Sequence, residues 1–406
     1  MKKKYLFVLL GFAAVMAGLI TYNNLSGRNN TNQYNKLEYN SGTSSPLVQG
    51  SNMFPAEFEK QQAMWLQWPS EVYNAGDRKV NPAMIRLIKA LDPYIRVNVM
   101  VRSLSEITGV KSLLKASSYT GTNTHFYVIN HYSIWARDVG PIFVKDSSYR
   151  MKVVDFGFNN YSRDGSSTYI NTEKQVDKLT AEALKLPVIT SSLVSEGGAI
   201  ETNGKGILMT TESVVLKRNP GMTKQQIETE YKRVLGVKKI IWLKKGLAED
   251  DYITSGHINE IARFASPDTI LLAQVLPQDR YTSAYSQASY LRMEENYNIL
   301  KNSTDQDGKP YKIIRIPMPP TSYSMTESNG SLPVRSYLNY VVTNGAVVMP
   351  VYWKTGRSDT LKTAESKVKE QFGTIFTGRK IIGIDVENVN KWGGGIHCIT
   401  QPMPIY

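Results

Sequence analysis

The sequence predicts an α/β fold of five helix–strand modules set around a pseudo-fivefold axis. Two observations carry this. Helical and strand-like periodicities alternate, each helix running into a strand, a polar or glycine-bearing loop, and more strand. The loops hold unusual residues, Asp138, Glu196, His257, Asn339 and Cys398, separated by 58, 61, 82 and 59 residues. A repeat of this length points to radial or solenoid repetition. If the modules surround one axis, the five loops meet at one centre.

Taken in order, Asn81-Pro82 opens the first helix, with Asn as cap and Pro at the first helical position. Met84, Leu87, Ile88 and Leu91 follow at helical spacing, and Pro93 ends the run. Val97, Val99 and Val101 alternate as in a strand. A second helix is expected over 104–115 and a strand over 125–130. Further helices over 173–185, 223–235, 283–301 and 361–372 lead to strands over 187–194, 239–243, 311–316 and 380–386. A hairpin is signalled by Tyr340-Val341-Val342, a turn at Asn344-Gly345, and Val347-Val348-Met349.

The N-terminus stands apart. Lys2, Lys3 and Lys4 precede an apolar run from Tyr5 to Ile20, the layout of a secretory signal or an uncleaved anchor. Residues 1–21 are read as that signal, and 22–52 as a flexible linker rich in Asn, Ser and Gly. The catalytic domain is then 53–406. This organisation predicts an exported protein, whether periplasmic, secreted or anchored facing outward. The membrane is a partner only through the anchor.

The 406 residues, 41% hydrophobic and 20% charged, have the composition of a globular chain. The formal charge of +13 is scattered, with only short clusters such as Lys238-Lys239 and Lys244-Lys245. Without a basic stripe interleaved with stacking aromatics, nucleic acid is not an expected partner. Composition sets no oligomeric state.

One cysteine in an exported chain leaves no internal disulfide framework. A lone thiol there is either a buried small hydrophobe or a nucleophile. Gly393-Gly394-Gly395 immediately before Ile396-His397-Cys398 favours the nucleophile, because glycines allow positive φ and close approach of a ligand. Of the four histidines, His257 lies in a glycine-led loop at the matching module position. Two acids occupy matching loops: Glu196 before Gly197-Gly198, and Asp138 in Trp135-Ala136-Arg137-Asp138-Val139-Gly140-Pro141. Cys, His and two carboxylates around one pocket suit a cationic substrate. A carboxylate accepts two parallel hydrogen bonds from a planar guanidinium, and that cation favours a thiolate nearby.

These motifs resemble the agmatine deiminase and bacterial-type peptidylarginine deiminase family. The resemblance spans residue 54 to the C-terminus. It rests on Phe54-Pro55-Ala56-Glu57-Phe58 with Trp65 and Trp68-Pro69, the Asp138 segment, Glu196-Gly197-Gly198, Gly256-His257, and the segment from Gly393 to Gln401. It implies a pentein-type α/β propeller of five modules. It also implies a hydrolase that converts a guanidinium, in agmatine on the way to putrescine or in arginine within peptides, to a ureido product and ammonia. Cys398 would attack the guanidinium carbon, His257 would move protons, Glu196 would orient His257, and Asp138 would hold the guanidinium. Trp135, Asn259 and Asn339 would line the substrate site. No metal or organic cofactor is implied.

One position departs from the family. An Asp usually stands two residues after the histidine, where this chain has Asn259. Asn accepts a hydrogen bond but brings no charge, a loss of about 1–2 kcal/mol, or roughly 5- to 30-fold in rate. The alternatives that follow are a catalytically weakened guanidinium-binding pseudoenzyme, or an amidinotransferase of the same fold. On this reading, Asn259→Asp is expected to raise turnover.

Overall fold

The computed structural model describes residues 52–320 and 333–405. The expected signal segment and all of the linker but its last residue lie outside them. That residue, Asn52, is buried, and its side-chain amide donates to the Val234 carbonyl at 3.0 Å. Asn52 therefore belongs to the folded body rather than to the linker.

Among the described residues the strands form five small sheets. In the first, β1 (Gln61–Gln67) pairs in parallel with β2 (Arg96–Val101), and β2 with β3 (Thr124–Val128). The other four repeat one pattern: a hairpin, then a crossover helix, then a strand parallel to the second strand of the hairpin. They comprise β4 (Ile142–Lys145), β5 (Met151–Gly157) and β6 (Val188–Val194); β7 (Ile200–Thr202), β8 (Ile207–Thr211) and β9 (Lys239–Leu243); β10 (Ala262–Ser266), β11 (Thr269–Gln274) and β12 (Lys312–Pro317); and β13 (Val341–Val342), β14 (Ala346–Val351) and β15 (Lys380–Asp385). The last strand, β16 (Gln401–Pro404), returns to pair antiparallel with β1, so the two ends of the described body complete one sheet together.

The predicted repeat is present, with one difference of framing. The strand expected to open each module is hydrogen-bonded to the preceding hairpin, in parallel, because a crossover helix returns its following strand to the same sheet. Each loop with an unusual residue therefore connects consecutive sheets. Asp138 lies between β3 and β4, Glu196 between β6 and β7, His257 between β9 and β10, Asn339 between β12 and β13, and Cys398 between β15 and β16.

The helices form where their apolar faces require. In Asn81–Leu91, the predicted Met84, Leu87, Ile88 and Leu91 are all fully buried. The cap differs from expectation. Asn81 is already helical, and its backbone N–H is met by the Asn74 side chain at 2.9 Å. The helix Lys224–Leu235 starts at a capping box of Thr223 and Gln226, and stops at Gly236, whose φ of 70° suits glycine. The middle strands β8 and β14 are buried almost throughout, whereas β6 alternates exposure along its outer edge.

Candidate active site

The Cys398 loop is shaped by its glycines. Gly393 has φ of 101°, in the left-handed region. A Cβ on Gly394 would lie 2.6 Å from the Trp135 ring and 3.1 Å from Cys398 Sγ, so the indole and the thiol approach each other across a bare α-carbon. A Cβ on Gly395 would lie 2.4 Å from Asn339 Oδ1. That oxygen instead accepts the His397 backbone N–H at 2.7 Å, and Asn339 Nδ2 reaches Cys398 Sγ at 3.3 Å.

Beneath this loop lies a buried charge cluster centred on Glu57. Its carboxylate meets Arg137 at 2.9 Å, Arg263 at 3.1 Å and His397 Nε2 at 2.7 Å. The Arg137 backbone N–H donates to the Cys398 carbonyl at 3.1 Å, which ties the Asp138 and Cys398 loops together. Burial, together with the Arg137 and Arg263 charges, holds His397 well below the usual imidazole range, so it is neutral. With Nε2–H given to Glu57, its Nδ1 accepts from Asn259 Nδ2 at 3.0 Å.

The His257 loop turns through Ser255 and Gly256, both at positive φ. Asp250 stitches that turn, accepting from the backbone N–H of Gly256 at 3.2 Å and of His257 at 3.0 Å. The imidazole faces two acids. Nε2 meets Glu196 at 3.3 Å, and Nδ1 lies 3.8 Å from Asp138. Burial alone would lower the His257 pKa. The charges of Asp138, Glu196 and Asp250 outweigh it and leave the pKa raised.

Each acid is itself held. Glu196, fully buried, accepts from Arg218 Nε at 2.6 Å; burial works to raise its carboxyl, but Arg218 and His257 bring it below the ordinary value. Asp138 accepts from the Tyr161 hydroxyl at 2.9 Å and the Gly198 N–H at 3.1 Å, and burial raises its pKa. A Cβ on Gly198 would lie 2.5 Å from His257 Nδ1, 2.7 Å from Asp138 Oδ1 and 3.0 Å from Asn259 Nδ2. Three polar groups from two loops thus meet around a glycine of a third.

The structure brings together Cys398, His257, Glu196, Asp138, Asn259, Trp135 and Asn339, all named from sequence. Asn259 Nδ2 also lies 3.6 Å from Cys398 Sγ, and its Oδ1 is buried without a hydrogen-bond partner. Of the other histidines, His131 is buried between the Ile129 and Trp68 carbonyls, with burial lowering it to about 4. Four residues of the site were missed: Arg218, Tyr161, Asp250 and Glu260. For the first three no local pattern marks them. Glu260 had a signal, since it directly follows the departing Asn259.

A family model described as Porphyromonas-type peptidyl-arginine deiminase matches residues 53–404. An agmatine deiminase of Medicago truncatula is 30% identical over 390 residues, covering 89% of this chain and 98% of that protein. The solved agmatine deiminase of Enterococcus faecalis is 26% identical with a TM-score of 0.75, over 87% of this chain and 96% of that one. The C. jejuni agmatine deiminase, 23% identical with a TM-score of 0.70 over 87% of this chain and 96% of that one, shares the fold. This chain belongs to the agmatine deiminase and Porphyromonas-type peptidyl-arginine deiminase family, has its pentein fold, and is a hydrolase acting on C–N bonds of linear amidines.

Proposed function

We propose that this guanidine deiminase acts on agmatine through a covalent Cys398 intermediate. The observation that carries the mechanism is the meeting of His257 Nδ1, Asp138 Oδ1 and Asn259 Nδ2 around Gly198, with Asn259 also against Cys398 Sγ. The agmatine deiminases similar to this chain over nearly their full length support the choice of substrate.

Asp138 takes the guanidinium by charge-assisted hydrogen bonds, its carboxylate plane already set by Tyr161 and Gly198. The unpartnered Asn259 Oδ1 accepts one further N–H. Cys398 Sγ, as thiolate, bonds to the guanidinium carbon. The bond from that carbon to one terminal nitrogen breaks, and the nitrogen leaves as ammonia with a proton from His257. A thiouronium on Cys398 remains. Neutral His257 then removes a proton from water, whose oxygen bonds to the same carbon. The C–S bond breaks, its electron pair returns to sulphur, the hydroxyl proton passes to solvent as the C=O bond forms, and the neutral ureido product departs. Glu196, fixed by Arg218, orients His257 and stabilises its charged form.

A second reading, arginine within peptides, is favoured by the Lys-led apolar run before residue 21, which fits an exported enzyme meeting an extracytoplasmic substrate. The purified protein should be offered agmatine, an arginine peptide and free arginine, with ammonia and ureido product scored. Turnover of agmatine at least ten-fold above the peptide supports the first reading. The reverse order replaces it with the second, and no ureido product from any of the three overturns both.

A further inference from the structure

Resting on the covalent reading above, one proton is still without a destination. The thiol must lose its proton before sulphur can attack. His257 is poorly placed to take it, because the carboxylates of Asp138, Glu196 and Asp250 favour its protonated form, the form needed for the departing amine. His397 is committed on both ring nitrogens, to Glu57 and Asn259. Asn259 carries no charge.

Glu260 remains. Its carboxylate is buried, and Oε1 lies 3.7 Å from Cys398 Sγ, within reach of an S–H donor. The same oxygen accepts from Asn339 Nδ2 at 2.5 Å, which aims it at the sulphur. Oε2 is buried without a hydrogen-bond partner, a costly condition for a purely structural carboxylate. We propose that Glu260 is a catalytic residue of this chain, the carboxylate that receives the Cys398 thiol proton and supplies the acid that position 259 lacks.

In the step, the Sγ–H bond breaks, the proton passes to Glu260 Oε1, and the electron pair stays on sulphur for attack on the guanidinium carbon. The charges around the pair make it responsive to a cation. Burial, Asp250 and Glu249 raise the Glu260 pKa against the opposing charge of Arg263 and the Cys398 hydrogen bond. Burial, Glu260 and Asp138 raise the thiol, while the Gly395 backbone and Asn339 work to lower it. The pair shares one proton, which stays on sulphur when the pocket is empty, where Cys398 Sγ donates to Glu260 Oε1. A guanidinium among Asp138, Asn259 and Cys398 reverses that preference, so the thiolate forms where its substrate already lies.

The test is Glu260→Gln, which keeps size and can keep the Asn339 hydrogen bond while losing the proton acceptor. With agmatine, kcat should fall about a hundred-fold while KM stays within about three-fold. Cys398 is the sole thiol, so the pH dependence of its alkylation by iodoacetamide reports its ionisation directly. Removing the neighbouring acid should shift that midpoint down by about one pH unit or more. A variant within five-fold of the parent in kcat, or a fall in kcat with an unmoved alkylation midpoint, overturns the proposal. Should the variant not fold, the parent alone decides. An alkylation midpoint above the ordinary thiol value of about 8.5 supports the pairing, and one at or below it overturns it. Loss of the covalent reading itself would show separately, as an active Cys398→Ser.

Discussion

Arg218 Nε lies 2.6 Å from Glu196 Oε1, and both side chains are completely buried. The other oxygen of the same carboxylate meets His257 Nε2 at 3.3 Å. Breaking this buried ion pair leaves Glu196 with His257 as its remaining charged partner, at a cost of about 3–5 kcal/mol. Arg218→Leu should therefore lower the stability of the folded body by about that amount, read from denaturant midpoints. The pair also sets an acid limit. Because the Glu196 carboxyl is held below its unfolded value, its contribution to stability is present above that unfolded value and lost as pH falls through the folded one. Arg218→Leu should shrink the loss of stability seen on acidification.

His257 gives the opposite sign. Its pKa is raised in the folded protein, so its contribution to stability is complete below the unfolded value and lost as pH rises through the folded one. Activity should fall on the same alkaline limb, since the departing amine needs the protonated imidazole. Glu196→Gln removes one of the charges raising it. That limb should move to lower pH, and kcat should fall far more than KM rises. A change confined to KM would place Glu196 on the substrate instead.

Cys398→Ser should abolish turnover, with residual rates at least a thousand-fold down, because serine is not appreciably ionised near neutral pH. Mass spectrometry of the parent, quenched during turnover, should find a substrate adduct on Cys398. Neither adduct nor loss of activity would leave the thiol without a covalent role.

The contacts of Asn259 favour the opposite outcome for Asn259→Asp to the one expected from the resemblance. Asn259 Nδ2 donates to the lone pair of neutral His397 and faces Cys398 Sγ. A carboxylate there would meet a lone pair at 3.0 Å and a second acid, Glu260, beside the thiol. Activity should therefore drop by about ten-fold, and should recover when Glu260→Gln is added, since one acid then remains. The double-mutant cycle measures this coupling, and additive effects would show the two positions to be independent.

Gly198→Ala should be inactive while remaining folded. A methyl group at 198 occupies the point within 3.0 Å of His257, Asp138 and Asn259 where those groups meet. Circular dichroism should be unchanged, and kcat/KM should fall at least a hundred-fold.

Much of this enzyme was legible in the chain itself. Helical spacing at Met84, Leu87, Ile88 and Leu91 depends only on neighbours a turn apart, so it reads directly and is buried as expected. The five loop residues were legible because each falls at the matching position of a repeated module, and a ring makes matching positions converge. Gly393 to Cys398 announced itself because only glycine tolerates the φ and the close contacts the thiol loop needs. Sequence could not place Arg218 behind Glu196, 22 residues away, or Tyr161 on Asp138, 23 residues away, since those partners meet only when separate loops pack. Nor could it tell that Asn259 faces a neutral imidazole while Glu260 faces the thiol. That depends on how burial and the Glu57, Arg137 and Arg263 charges set the protonation of His397, a long-range electrostatic outcome that exists only once the interior has closed.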